Sequence, residues 1–150
     1  MCDAHNILSK EHNGDYLSFD EMETRFEIGL NSINIAPEFG QLETDFFIEI
    51  LKKTDEKLFE DFYNICFQSK RWEKWVDKSF NPEYEKEKVI KISGHYVFSE
   101  PSFILLKKKI ADCQNIDVSK LDLMVKEKIK NYLLNFKDRK STRLNSSHQI

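Results

Sequence analysis

The sequence predicts an α/β protein with a parallel sheet, followed by a mostly helical region. Two short apolar runs, one at Ile7 and Leu8 and one around Ile33 and Ile35, each lead into a polar loop and then a stretch with helical spacing. A strand, a loop and a helix repeated in this way are the units of a parallel α/β protein. Only four glycines and three prolines accompany twelve phenylalanines, so long helices should dominate the rest of the chain.

The first predicted unit is a strand over residues 7–10 and a helix over residues 19–26. Ser18 followed three positions later by Glu21 is a capping-box pattern, in which each side chain accepts from the other's backbone amide. Gly29 suits the turn that ends this helix, because glycine readily adopts the left-handed backbone found there.

The second predicted unit is a strand over residues 30–36 and a helix that follows Gly40. Pro37 should end the strand, since proline cannot donate a hydrogen bond to a neighbouring strand. The helix is predicted from apolar positions spaced by three and four residues: Leu42, Phe46, Phe47, Ile50 and Leu51. Two strands alone do not make a stable sheet, so we expect further strands to pair with them.

The remaining helices are predicted over residues 58–67, 81–92, 99–110 and 119–136. Thr54 is expected to cap the first of them, and Pro82 suits the first turn of the second. The segment from Gly94 to Phe98 is expected to break that second helix. The phenylalanines between Phe46 and Phe67 are expected to be core residues.

Three aromatic or imidazole side chains of the helical region leave alternatives open. Trp72 and Trp75 are three residues apart, so on a helix they would share a face, either buried or exposed for a partner. His95 is expected to pack against the rest of the protein or a partner subunit rather than to act in catalysis.

The end of the chain differs from the rest in composition. Residues 140–150 have no apolar period and resemble a translated sequencing adapter, which predicts a disordered, non-native tail. The predicted organisation is therefore two strand–helix units in residues 1–53, a helical extension in residues 54–136 and this tail over residues 137–150.

Charge and composition restrict the expected partners and location. The net charge is -3, which argues against nucleic acid as the main partner. No apolar run reaches the roughly 20 residues that span a bilayer. The first residues lack the pattern of a secretory signal, and the three cysteines are far apart, so we expect reduced thiols in a cytoplasmic protein without membrane contact.

The two polar loops supply the candidate site residues, because ligands of parallel α/β proteins bind where strands end. His12 is a candidate metal ligand or acid/base group, or it hydrogen-bonds Asp15 and only fixes the loop. Asp15 is a candidate partner of His12, or it forms a turn with Gly14. Glu38 is a candidate base or a helix cap, and Asn34 either faces a ligand or occupies an ordinary strand position.

The succession His12, Asp15 and Tyr16, a short helix, an apolar strand ending in Pro37 and an amphipathic helix resembles one known family. It is similar to the C-terminal third of the tagatose-bisphosphate aldolase non-catalytic subunit family, whose members are (β/α)8 TIM barrels related to class II aldolases. The resemblance covers roughly residues 7–111 and includes the family's helical extension.

This resemblance implies that the chain is a C-terminal fragment carrying the last two β/α units of such a barrel. His12, Asp15 and Glu38 would be catalytic, Asn13 and Asn34 would contact a sugar phosphate, and His12 would bind a divalent metal such as zinc. The chain departs from the family at two positions. The family has an arginine where this chain has Thr44, and it lacks a carboxylate where this chain has Glu38. Both differences argue against phosphate binding at this loop.

The expected function is that of a ketose-bisphosphate aldolase subunit, accessory or catalytic, in carbohydrate metabolism. The fragment alone should be inactive, and its partners would be a sugar phosphate and either a catalytic aldolase subunit or a second copy of the chain. Two alternatives remain. One is a ketose-phosphate epimerase of the same barrel family, and the other is a helical protein-interaction module that uses Trp72, Trp75 or Phe98.

Overall fold

The computed structural model describes residues 5, 7–12 and 14–146. Along this part of the chain the elements are β1 (Lys10–Glu11), α1 (Phe19–Glu27), β2 (Ser32–Ile33), α2 (Pro37–Thr54), α3 (Glu56–Gln68), a short 3₁₀ helix (Glu73–Trp75), α4 (Lys86–Val97), α5 (Pro101–Cys113) and α6 (Val118–Ser146). The chain divides into two compact units, and we describe each by itself. The β unit comprises Met1–Phe39 with Leu134–Ile150, and the helical unit comprises Gly40–Leu133.

The predicted TIM-barrel fragment is wrong, because the fold is mostly helical. Helices account for 67% of the described residues, and the described strands are two segments of two residues each. Most of the apolar residues predicted to form the strands lie outside them, and Ile7 and Leu8 are 60% and 81% exposed. An α/β sheet needs such residues buried between its covering helices, and the apolar area buried in this chain lies in the helical unit instead.

The β unit contains one parallel pairing with a helix between its strands. Lys10 pairs with Ser32 and Glu11 with Ile33, so the two strands predicted as parallel do run side by side over this short register. Helix α1 begins at the predicted capping box, in which the Ser18 hydroxyl accepts from the Glu21 amide and the Glu21 carboxylate accepts from Ser18. Helix α1 buries no residue, and its Arg25 forms a salt bridge of 3.0 Å with Glu11.

The helical unit is organised around buried aromatic rings. Phe47 makes ring contacts with Phe62, Phe98 and Phe103 at centroid distances of 6.5, 5.8 and 5.1 Å. Aliphatic residues from α2 to α6 surround them, including Leu51, Ile90, Leu106, Ile110 and Leu121. Apolar burial contributes about 25 cal/mol per Å², so this core supplies most of the unit's stability.

Three predicted helix boundaries are wrong for local reasons. Helix α4 begins at Lys86 and not at Pro82, because residues 81–85 form turns in which Asn81 accepts from the Glu83 amide. Asp55 and not Thr54 caps α3, accepting from the Lys57 amide at 2.8 Å. Helix α2 already begins at Pro37, so Gly40 lies inside it.

The prediction that α4 breaks at Gly94 is wrong. Gly94 lies buried inside this helix. A Cβ at this position would lie 2.6 Å from Cγ2 of Thr44, a buried residue of α2. The glycine therefore allows two helix backbones to approach closely, which is a use of glycine unrelated to turns.

Helix α6 continues to Ser146, past the predicted end at Phe136. The last residues, 147–150, lie outside the described part of the chain, and the adapter-derived tail stays a prediction. Among the described residues, no helix has the length and apolar character needed to cross a bilayer.

Candidate functional site

The loops that follow β1 and β2 lie together at one end of the parallel pair, and we call this region the β1–β2 edge. It contains His12, Asp15, Asn34 and Glu38. Backbone bonds extend the pairing into the loops: the Asn34 amide donates to the Glu11 carbonyl, and the Gly14 amide donates to the Asn34 carbonyl, both at 3.0 Å. His12, Asp15 and Glu38 thus follow neighbouring strand ends, as expected, whereas the Asn34 backbone makes the ordinary strand-type bonds that were its alternative interpretation.

Gly14 holds the first loop against the second strand. It is buried, and a Cβ at this position would lie only 1.8 Å from Cγ2 of Ile33. No side chain fits in that space without displacement of the strand. From the sequence, Gly14 was treated only as a turn residue, and its close contact with the second strand was not predicted.

Asp15 caps the start of helix α2. Its Oδ1 accepts hydrogen bonds from the amides of Ala36 and Glu38, each at 3.0 Å. These amides are among those that an α-helix leaves without an intrahelical partner, so a carboxylate there is favourable. Asp15 Oδ1 therefore bonds to the loop after β2 and does not form the predicted Asx-type turn with Gly14.

Glu38 forms the reciprocal contact. Its Oε2 accepts from the Tyr16 amide at 3.0 Å, while its own amide donates to Asp15. Tyr16 has a φ of 64°, which is uncommon for a residue with a side chain and is held here by this bond. Tyr16 is 60% exposed at the edge, and sequence reasoning did not select it. A non-glycine residue in the left-handed region cannot be recognised from residue type alone.

His12 and Asn34 are exposed at the same edge. Within the described residues no hydrogen bond joins His12 to Asp15, so the alternative in which this bond fixes the loop is not seen. His12 is therefore an exposed residue beside two loops that are joined by hydrogen bonds. Asn13, the other expected substrate contact, lies outside the described residues.

The edge does not fit a zinc site assembled from this part of the chain. Over residues 5, 7–12 and 14–146, no group of three or more His, Cys, Asp or Glu side chains converges to hold a metal. Asp15 and Glu38 each use one carboxylate oxygen to bind an amide. Zinc binding through His12 remains a prediction from the resemblance.

The edge also offers little to a phosphate group. Helix N-termini bind phosphate through free amides, but Asp15 already occupies the amides of Ala36 and Glu38 at the start of α2. The two carboxylates add negative charge that repels phosphate. What the edge presents to a ligand is the exposed His12 imidazole, a group that hydrogen-bonds hydroxyls.

The other residues singled out from the sequence lie in the helical unit. His95 packs against α2, since a Cβ on Gly40 would lie 2.7 Å from the Cβ of His95. Burial lowers the pKa of His95, and its Nδ1 is buried without a hydrogen-bond partner among the described residues. His95 thus packs against another helix of the same chain, one of the two alternatives expected from the sequence.

Trp72 and Trp75 do not share a face. Trp72 is buried, stacks on Phe67 and donates its indole N–H to the Phe67 carbonyl at 3.1 Å, whereas Trp75 is 61% exposed. Helix α3 ends at Gln68 and Lys70 has a φ of 56°, so the two tryptophans are not on one continuous helix. The helical spacing rule therefore does not apply to them.

Comparisons with protein-family models, with curated proteins and with solved structures found no match for this chain. A functional interpretation therefore depends on the residue pattern and on the geometry of the β1–β2 edge.

Proposed function

We propose that this chain is part of a sugar-phosphate aldolase subunit of the tagatose-bisphosphate aldolase type, and that its β1–β2 edge contacts the ketose. The barrel expected from the resemblance is not part of this proposal, because the fold is mostly helical. The proposal is supported by the order of residues in the two loops and by the contacts between them.

The observation that carries the proposal is the reciprocal pair of contacts between the loops. Asp15 binds the amides of Ala36 and Glu38, and Glu38 binds the amide of Tyr16. Two loops joined in this way are held in place before a ligand arrives, which lowers the entropy lost on binding. The exposed rings of His12 and Tyr16 are attached to this fixed frame.

The charge at the edge favours the hydroxyl groups of a sugar over its phosphates. Asp15 and Glu38 are acidic, and the amides of Ala36 and Glu38 at the start of α2 already donate to Asp15. One imidazole nitrogen donates a hydrogen bond and the other accepts one, so His12 is the residue we assign to hydroxyl binding or proton transfer. Asp15 and Glu38 act by positioning the loops, with Asn34 as an additional hydrogen-bonding group.

Binding of tagatose 1,6-bisphosphate to the full chain, followed by two-dimensional amide NMR, tests this proposal. We expect the shifts to be confined to the amides of the β1–β2 edge, and to be absent with inorganic phosphate. His12→Ala should weaken binding by about fivefold, since a hydrogen bond between neutral groups contributes about 1 kcal/mol.

His5→Ala is the matched control, because His5 is also an exposed histidine but lies before β1. This variant should bind the sugar as the unmodified chain does. The proposal is wrong if millimolar tagatose 1,6-bisphosphate shifts no amide at the edge. It is equally wrong if inorganic phosphate produces the same shifts, or if His12→Ala and His5→Ala have the same effect.

A further inference from the structure

A second surface of the chain combines exposed aromatic rings with positive charge. It consists of Arg71, Lys74 and Trp75, which follow α3, and Tyr96 near the end of α4, all within the helical unit. We call it the cation–aromatic patch. Trp75 is 61% exposed and Tyr96 is 38% exposed. Nothing in the sugar-binding proposal uses this surface.

The two cations of the patch lie over rings instead of beside carboxylates. The Lys74 ammonium is 5.0 Å from the centroid of the Trp75 ring and 5.9 Å from that of Tyr96. The Arg71 guanidinium carbon is 5.8 Å from the Tyr96 centroid. In the described part of the chain neither cation forms a salt bridge.

Two other lysines of the helical unit that lie over aromatic rings differ from Arg71 and Lys74. Lys86 and Lys88 contact rings, but each is also paired with a carboxylate, Glu60 and Glu85 respectively. Arg71 and Lys74 thus retain the capacity to bind an anionic group that these lysines have already used.

We propose that the cation–aromatic patch binds an acidic peptide segment of a partner protein. Carboxylates of the segment would pair with Arg71 and Lys74, and an apolar side chain would cover Trp75. Tryptophan, tyrosine and arginine are the residue types that contribute most binding energy at protein interfaces. The guanidinium group also matches a carboxylate with two parallel hydrogen bonds.

Charge around the patch favours a peptide over a nucleic acid. Residues 70–78 expose Lys70 and Lys78 as well as Arg71 and Lys74, but Glu73 and Asp77 are exposed between them, and the whole chain has a net charge of -3. A phosphate backbone carries one charge per nucleotide and needs a continuous basic track, which cations interrupted by carboxylates do not provide. One or two carboxylates on a short peptide match this local charge.

The test uses a short fluorescein-labelled peptide of alternating glutamate and leucine, with fluorescence anisotropy as the readout. A peptide of alternating serine and leucine and a short oligothymidylate are the comparison ligands. We expect the full chain to bind the acidic peptide most tightly, with affinity that falls as salt is added. Lys74→Glu and Trp75→Ala should each weaken binding by about tenfold, as for interface residues of large effect.

Two matched controls separate the patch from general surface effects. Tyr84→Ala removes an aromatic side chain that is 89% exposed, and Lys126→Glu reverses the charge of an exposed lysine on α6. Both should bind the acidic peptide as the unmodified chain does. All four variants change exposed side chains, and far-UV circular dichroism checks that each keeps the helical fold.

Several results would overturn the proposal. They are no detectable binding of the acidic peptide, equal binding of the serine peptide, tighter binding of oligothymidylate, or equal losses in the patch variants and their controls. Because no step involves the β1–β2 edge, failure here leaves the sugar-binding proposal unaffected, and the reverse also holds.

Discussion

The helical unit and the β unit are stabilised by different kinds of contact. In the helical unit, Phe47, Phe62 and Val97 are completely buried. In the β unit, α1 buries no residue and Ile28 is 80% exposed. Polar contacts hold the β unit together, among them the salt bridge between Arg25 and Glu11, the Asp15 and Glu38 hydrogen bonds, and the capping box.

This difference determines where the chain should open first. A buried phenylalanine contributes about 1.5–3 kcal/mol, whereas a typical hydrogen bond contributes a net 0.5–1.5 kcal/mol or so. Segments with few buried apolar contacts open at lower free energy than a packed core. The proposed sugar-binding edge thus lies in the less stable unit, and the cation–aromatic patch lies on the more stable one.

Removing an aromatic ring from each unit tests the contrast most strongly. Phe62→Ala should lower the free energy of unfolding by about 3–5 kcal/mol, because a fully buried ring leaves a cavity. Phe26→Ala in α1, where the ring is 43% exposed, should cost about 0.5 kcal/mol. Denaturant unfolding followed by far-UV circular dichroism gives both values. Equal losses in the two variants would show that the β unit has a core of comparable importance.

Gly94→Ala tests how tightly the helical unit is packed. The added methyl would meet Thr44, and overpacking of a core costs about 1–3 kcal/mol. Alanine in a helix recovers about 1 kcal/mol of propensity relative to glycine, so we expect a net loss of about 1 kcal/mol.

The sign of this effect should change when the neighbouring side chain is shortened. In a Thr44→Ala background the closest contacts of the new methyl, Cγ2 and Oγ1 of Thr44, are absent. Gly94→Ala should then be stabilising, and thermal unfolding of the four proteins forms a double-mutant cycle. A loss of the same size in both backgrounds would locate the strain elsewhere.

The smallest expected effect concerns the pH dependence of α1. Hydrogen bonds from the Ser18 hydroxyl and amide hold the pKa of Glu21 below its ordinary value of 4.5. Stability from a carboxylate with a lowered pKa is present above the ordinary value and is lost as pH falls through the lowered one. The helix content of α1, measured from its Cα secondary chemical shifts, should therefore decrease as the pH falls below 4.5.

Ser18→Ala should raise the pKa of Glu21 toward 4.5, as measured by NMR titration of the side chain. An unchanged Glu21 titration would mean that the capping box does not persist in solution.

The sequence by itself determined features that depend on a few neighbouring residues. The capping box of Ser18 and Glu21 and the turn at Gly29 with its φ of 99° were predicted correctly, whereas the second strand ends at Ile33 and not at Pro37. So was the aromatic core, because apolar residues spaced by three and four positions mark the buried face of a helix. It also indicated that Asp15 and Glu38 follow neighbouring strand ends.

The tertiary structure decided whatever depends on segments distant in sequence. It showed that Gly94 permits close packing against Thr44, that Trp72 is buried while Trp75 is exposed, and that the strands are too short for an α/β sheet. The contact between Asp15 and the start of α2 likewise depends on the path of the backbone between them. Local patterns specify caps and helix faces because those interactions span a few residues, whereas close approaches and burial depend on which segment packs opposite.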